Sequence, residues 1–136
     1  MGIIGKDFKY KKIDNILNEN LVNFFREYCK FKHQFDNKMH LFNDDKITAG
    51  DSQHYGDFAT ESLLIMLQPE IEKIVGKKLL PTYSFWRMYT YGGYLKKHTD
   101  REACEISVTL NIMGDTDWPI YIEDNEVHLK PGDGVV

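Results

Sequence analysis

The run ISVTLNI, residues 106–112, has the alternation of an amphipathic β-strand. Its apolar side chains fall on one face of a period-2 pattern: Ile106, Val108, Leu110 and Ile112. Its polar side chains fall on the other face: Ser107, Thr109 and Asn111. The pattern predicts a strand with one face on a core. The polar face either lines a wet pocket or meets solvent, and the alternation alone leaves both open.

The segments around this strand also favour β structure. The run YSFWRMYTY, residues 83–91, consists almost entirely of β-formers, and it predicts a strand before residue 106. Two further strands are predicted at residues 118–122 and 126–130. Pro131-Gly132-Asp133-Gly134 is a turn signal, after which Val135 begins a fifth strand. Short strands separated by turns are typical of a β-sandwich or barrel.

The first half of the chain predicts helices. Asn18 is suited to cap a helix whose apolar face would carry a row of residues at helical spacing: Leu21, Phe24, Phe25, Tyr28 and Phe31. Residues 34–56 read as polar and irregular. Asp57 is suited to cap a second helix, which Pro69 interrupts and Gly76 ends.

Helices that precede strands without alternation predict an α+β fold rather than a doubly wound sheet. The 136 residues suffice for a single domain, with a helical part over about residues 1–80 and a β-barrel part over about residues 81–136. The net charge of −4 and the lack of a long basic patch argue against nucleic acid as a partner.

The cysteine content and the hydropathy predict a cytoplasmic protein. Cys29 and Cys104 are the only cysteines, too few for a disulfide framework and without the spacing of a zinc site. No apolar run is long enough for a bilayer, and the first twelve residues lack the apolar stretch of a signal peptide, so a membrane is not an expected partner.

The stretch YTYGGYLKKHTDR, residues 89–101, holds the residues best suited to chemistry. In an extended backbone, residues two apart point to the same side, so His98 and Asp100 can present an imidazole and a carboxylate to one point. One histidine and one carboxylate make up two thirds of the facial triad that holds non-haem Fe(II). The same spacing also occurs in ordinary surface pairs, so the spacing by itself decides nothing.

A longer pattern surrounds this pair. Arg87, Tyr89, the Gly92-Gly93 pair, His98 and Asp100 are followed by the strand at residues 104–112 and the run LKPGDGVV. This order resembles the 2-oxoglutarate/Fe(II)-dependent dioxygenases of the prolyl 4-hydroxylase-like group. The resemblance covers roughly residues 80–136 and extends more weakly over the helical half.

The resemblance implies a double-stranded β-helix, a jelly-roll barrel, preceded by bracing helices. It implies Fe(II) held by His98 and Asp100, with 2-oxoglutarate as cosubstrate near Tyr89 and Thr109. The implied activity is hydroxylation of an unactivated C–H bond in a small molecule or a peptide. Leu95 stands where relatives often carry an aromatic residue, which leaves the substrate open.

The chain departs from the family pattern after the turn at residues 131–134. A second histidine and a basic partner for 2-oxoglutarate are expected beyond that turn, and neither is present before Val136. His128 precedes the turn and reads as an ordinary strand residue. The expectation is therefore the front portion of a longer enzyme. The alternatives are a jelly-roll binding or structural module without the complete triad, and a metal-dependent cupin, which requires a richer histidine cluster.

Overall fold

The computed structural model describes residues 10–39, 52–89, 105–114, 119–122 and 125–136, and over these the fold is α+β. The elements in chain order are β1 Lys12–Ile13, α1 Glu19–Met39, β2 Ser52–Tyr55, α2 Phe58–Val75, β3 Phe85–Met88, β4 Thr109–Leu110, β5 Ile120–Ile122, β6 Asn125–Val127 and β7 Gly134–Val135. Neither described helix combines the length and the apolar character needed to cross a bilayer.

Two compact units divide the chain. The first contains residues 1–6 and 30–104, and the second contains residues 7–29 and 105–136. The start of α1 belongs to the second unit, together with the last strands of the chain. Buried apolar residues in the first unit are Leu63, Leu67, Ile71 and Val75, and those in the second are Leu17, Val22, Phe25, Cys29, Val127, Val135 and Val136.

Helix α1 begins where the sequence predicted, since the Asn18 side chain accepts the Leu21 backbone N–H at 2.9 Å. The predicted apolar face is confirmed at Phe25 and wrong at Phe24 and Phe31, which are 56% and 70% exposed. The buried row is Val22, Phe25 and Cys29, which also has helical spacing.

Helix α2 has the caps that the sequence predicted, but Pro69 does not interrupt it. Asp57 accepts the Ala59 backbone N–H at 3.0 Å, and Gly76 ends the helix in a left-handed conformation with φ 75°. A proline inside a helix leaves one carbonyl, four residues back, without its N–H partner. That residue is Ile65, which is 57% exposed, so water can hydrate its carbonyl.

A strand occupies part of the segment that the sequence predicted to be irregular. β2 pairs antiparallel with β3, with Ser52 opposite Met88 and Tyr55 opposite Phe85. The prediction failed at both ends of the segment, because α1 continues to Met39 and β2 begins at Ser52. The side chains of β2 are polar, so they show no apolar alternation that would predict a strand. Their hydrogen-bond partners lie on α1, which is distant in the sequence.

The second unit contains a sheet in the order β1-β7-β4, in which both pairings are antiparallel. Val135 is 2% exposed and lies opposite Lys12 on one side and Thr109 on the other. Strands β5 and β6 form a separate antiparallel pair. The strands predicted at residues 118–122 and 126–130 are therefore present in shortened form. The described residues form three small sheets and no closed barrel.

Candidate functional site

The predicted metal pair, His98 and Asp100, lies outside the described residues, as does the Gly92-Gly93 pair. Fe(II) ligation by these two residues therefore stays a prediction. Within the described ranges, no group of three or more histidine, cysteine, aspartate or glutamate side chains is placed to hold a metal ion.

Tyr89, one of the two residues assigned to 2-oxoglutarate, follows β3 directly and is half-buried. The Arg87 guanidinium carbon lies 4.3 Å from the centroid of the Tyr89 ring, a cation–π contact. The two residues are two apart in an extended backbone and so share one face. Gln53 lies opposite Arg87 in the β2–β3 ladder, which fixes the position of this face.

The other face of β3 carries Trp86, which stacks on His54 of β2 with ring centroids 4.8 Å apart. His54 Nε2 lies 2.6 Å from Asp36 Oδ2, and Asp36 is only 2% exposed. A buried carboxylate is costly unless it is paired, so this histidine is a structural partner for α1. His54 is thereby engaged in an ion-pair or hydrogen-bond contact and not presented to a ligand.

A second buried contact joins α1 to β2. His33 Nδ1 lies 2.7 Å from Ser52 Oγ. A serine beside a histidine could be a nucleophile and its base. Ser52 is 1% exposed, however, so a substrate cannot reach its hydroxyl. The contact is best explained as satisfaction of a buried hydroxyl.

Asp57 connects three elements of the first unit. Its Oδ1 caps α2, while its Oδ2 accepts the Trp86 indole N–H at 3.3 Å and lies 3.5 Å from the Lys32 ammonium. One carboxylate thus holds the start of α2, strand β3 and helix α1. This arrangement fixes the strand that leads into Tyr89.

Thr109, the other residue assigned to 2-oxoglutarate, is exposed at the start of β4. It belongs to the second unit and Tyr89 to the first. The alternation predicted around Thr109 is present, since its apolar neighbours are half-buried and Ser107 is exposed. Asn111 differs from the other polar residues because its carboxamide donates to the Leu129 carbonyl at 2.6 Å. The polar face is therefore partly structural.

The turn at residues 131–134 is held by Asp133, which is 4% exposed. Its two carboxylate oxygens accept the backbone N–H groups of Asn15 at 2.9 Å and Lys130 at 3.0 Å. Burial acts to raise the pKa of Asp133, but these two hydrogen bonds, together with the charges of Lys12 and Lys130, hold that pKa below its ordinary value.

His128 lies beyond β6, and its Nε2 is 3.5 Å from Glu126 Oε1. Its side chain is about half exposed. The position agrees with the prediction of an ordinary residue near the end of a strand. Within the described ranges, His128 belongs to no group of three or more side chains that could hold a metal ion.

Sequence reasoning missed the contact between Asp36 and His54 entirely. The available signal was the short run SQHY, in which Ser52 and His54 fall on one face of an extended segment. Period-2 analysis searches for alternating apolar residues, and this strand buries polar ones. The partner on α1 is 18 residues away, and no local pattern identifies it.

Comparison with known proteins gives no match to any family model, to any curated protein or to any solved structure.

Proposed function

We propose that the chain is a 2-oxoglutarate- and Fe(II)-dependent dioxygenase with the architecture of a double-stranded β-helix. The support is the ordered pattern from Arg87 to Asp100, with the strand and the P-G-D turn that follow it. The antiparallel pairing of β4 with β7 is consistent with this proposal, because it places the strand after the metal pair beside the strand after the turn. The proposed location is the cytoplasm.

The proposed roles follow from the chemistry of the side chains. His98 and Asp100 would hold a divalent ion through one imidazole and one carboxylate, which leaves other coordination positions open. Bound iron and 2-oxoglutarate would supply the oxidation of an unactivated C–H bond by O2. Tyr89 offers a phenol hydroxyl, and the Arg87 guanidinium that lies over its ring is a strong donor to carboxylates.

The described residues contribute one contact to this assignment, the Arg87 guanidinium over the Tyr89 ring, and the metal pair lies outside them. The proposal therefore depends on the sequence pattern, and metal binding is its first test.

Anaerobic titration with Fe(II) tests the metal pair. We expect the unmodified chain to bind one equivalent and the His98→Ala and Asp100→Ala variants to bind at least tenfold more weakly, because each variant loses a ligand. His128→Ala is the matched control, since it removes an imidazole that has no assigned ligand role. Equal binding by the unmodified chain and both ligand variants would overturn the metal site.

Conversion of 2-oxoglutarate to succinate tests the activity. We expect succinate to form in the presence of Fe(II) and O2 and the His98→Ala variant to form none.

The second candidate function is a jelly-roll binding module without turnover. The observation that favours it is that His128 precedes the turn and contacts Glu126. Iron binding without any succinate would favour this second function.

A further inference from the structure

A polar cleft of about 360 Å³ lies in the second unit. Its walls come from the connection between β1 and α1, from the first turns of α1 and from Pro131. The polar residues that line it are Asn15, Glu19, Asn23 and Arg26. The volume is at the lower end of the range for small-molecule sites, about 300–1,000 Å³.

The Arg26 guanidinium is the positively charged group that lines the cleft. Its Nε atom is enclosed and has no hydrogen-bond partner among the described residues. Burial of an unsatisfied donor is costly, and burial of a charged one is more so. Because Nε is enclosed, a carboxylate in the cleft would accept from the terminal Nη groups of the guanidinium.

Glu19 gives the cleft an opposite charge. It lies seven residues before Arg26 on α1, which places the two on the same side of the helix and about 10 Å apart along the axis. No ion pair joins them among the described contacts. A multivalent anion such as phosphate would be repelled by Glu19. A ligand with both a carboxylate and an ammonium group would satisfy Arg26 and Glu19 together.

The walls of the cleft are held in place without a ligand. The Asn15 backbone N–H donates to Asp133, and the Leu17 N–H donates to the Gly132 carbonyl at 3.1 Å. Gly132 in turn donates its N–H to the Asn111 carbonyl at 2.8 Å. These bonds fix the connection before α1 against the turn at residues 131–134, so a ligand would enter a largely preformed site.

We propose that this cleft binds a small zwitterion of the free α-amino-acid class, with its carboxylate on Arg26 and its ammonium group directed to Glu19. The carboxamides of Asn15 and Asn23 offer further donors and acceptors. This site uses none of the residues assigned to iron or 2-oxoglutarate, so it stands or fails independently of the dioxygenase proposal.

The test compares L-alanine with propionate, which has the same carbon chain and carboxylate but lacks the ammonium group. Binding is followed by chemical-shift changes in ¹H–¹⁵N spectra of the full chain. We expect L-alanine to bind at least tenfold more tightly than propionate and to shift the amides of Asn15, Asn23 and Arg26. The Arg26→Gln variant should lose at least tenfold in affinity for L-alanine.

Glu19→Gln provides the charge test. It should weaken L-alanine binding and strengthen propionate binding, because it removes the partner of the ammonium group and the repulsion of the carboxylate. Arg26→Lys keeps the positive charge without the planar guanidinium and should still bind more weakly than the unmodified chain. Lys130→Gln is the matched control, since it removes one exposed charge beside the turn without lining the cleft.

Three results would overturn the proposal. They are the absence of any shift with L-alanine, equal binding of propionate and L-alanine by the unmodified chain, and unchanged L-alanine affinity in a folded Arg26→Gln variant. The spectra themselves report folding, because the amides of Gly132 and Gly134 lie in buried positions whose shifts depend on the native turn.

Discussion

The Asp133 carboxylate accepts the backbone N–H of Asn15 at 2.9 Å, across 118 positions of sequence. Asn15 has a positive φ of 53°, a conformation that asparagine tolerates better than most residues. The hydrogen bond therefore fixes a strained residue between β1 and α1 against the turn before β7. The contact adds to the short β1–β7 ladder, to which each strand contributes only two residues.

Asp133→Asn should destabilise the protein by about 1–3 kcal/mol. Asparagine has one acceptor oxygen in place of two, so one of the N–H groups of Asn15 and Lys130 would face an NH2 donor. Chemical denaturation of the unmodified chain and the variant measures the loss. Asp14→Asn is a suitable control, because Asp14 is exposed and one residue from Asn15. Equal loss in both variants would contradict the role given to Asp133.

The same carboxylate predicts a dependence of stability on acid. The folded-state pKa of Asp133 lies below the ordinary value of 3.8, so its ionised form stabilises the folded state. This contribution is complete well above pH 3.8 and is lost as the pH falls through the lower folded-state pKa. The difference in unfolding free energy between the unmodified chain and Asp133→Asn should therefore shrink below pH 3.8. A difference in unfolding free energy that is the same at neutral pH and below pH 3.8 would contradict the prediction.

Gly132→Ala should also destabilise the turn, by about 1–3 kcal/mol. Gly132 has φ 96°, and an added Cβ would lie 3.1 Å from both the Leu17 carbonyl oxygen and a Val22 methyl carbon. Backbone strain and crowding thus act together. Gly114→Ala is the matched control, because Gly114 is exposed and has no positive φ. A thermal melt that shows the same midpoint for both variants would argue against this account.

The sequence predicted the helix caps but not the end of α1, which continues to Met39. Asn18, Asp57 and Gly76 were identified correctly because caps depend on residues within three or four positions. The buried face of α1 was predicted correctly only at Phe25, since Phe24 and Phe31 have the same helical spacing as the row that packs. Which row is buried depends on partners distant in sequence, and periodicity contains no information about them.

The candidate site shows a similar limit. The pattern from Arg87 to Asp100 is local, so sequence reasoning could state a metal hypothesis, and that hypothesis remains a prediction. The Arg26 cleft is assembled from the connection before α1 and the turn near the end of the chain, more than 100 residues apart. No motif marks such a site, and its four polar residues read individually as solvated positions.

Asp57→Ala should destabilise the first unit more than Asn18→Ala destabilises the second. A helix cap contributes about 0.5–2 kcal/mol. Asp57 also accepts from the Trp86 indole, whereas Asn18 caps an exposed helix start. Asp57→Asn keeps the cap and should give an intermediate loss, because its NH2 group faces the Trp86 N–H. The denaturation midpoint of Asp57→Asn should lie below that of the unmodified chain, and the midpoint of Asp57→Ala should be lower still. Equal midpoints for Asp57→Ala and Asn18→Ala would contradict this prediction.

His54→Ala should lower the free energy of unfolding by more than the Asp36–His54 pair contributes to it. The substitution leaves a carboxylate that is 2% exposed without its partner. We expect a loss of about 2–4 kcal/mol for His54→Ala, allowing for partial exposure of the imidazole. The double variant Asp36→Ala/His54→Ala should lose less than the sum of the two single variants, since removal of both groups leaves no unpaired charge. A double-mutant cycle by chemical denaturation measures this coupling.

His128→Ala, which alters a half-exposed imidazole beside Glu126, is the control and should change the unfolding free energy by less than about 0.5 kcal/mol. Strict additivity of the two single losses would mean that the 2.6 Å contact between Asp36 and His54 does not stabilise the junction of α1 with β2.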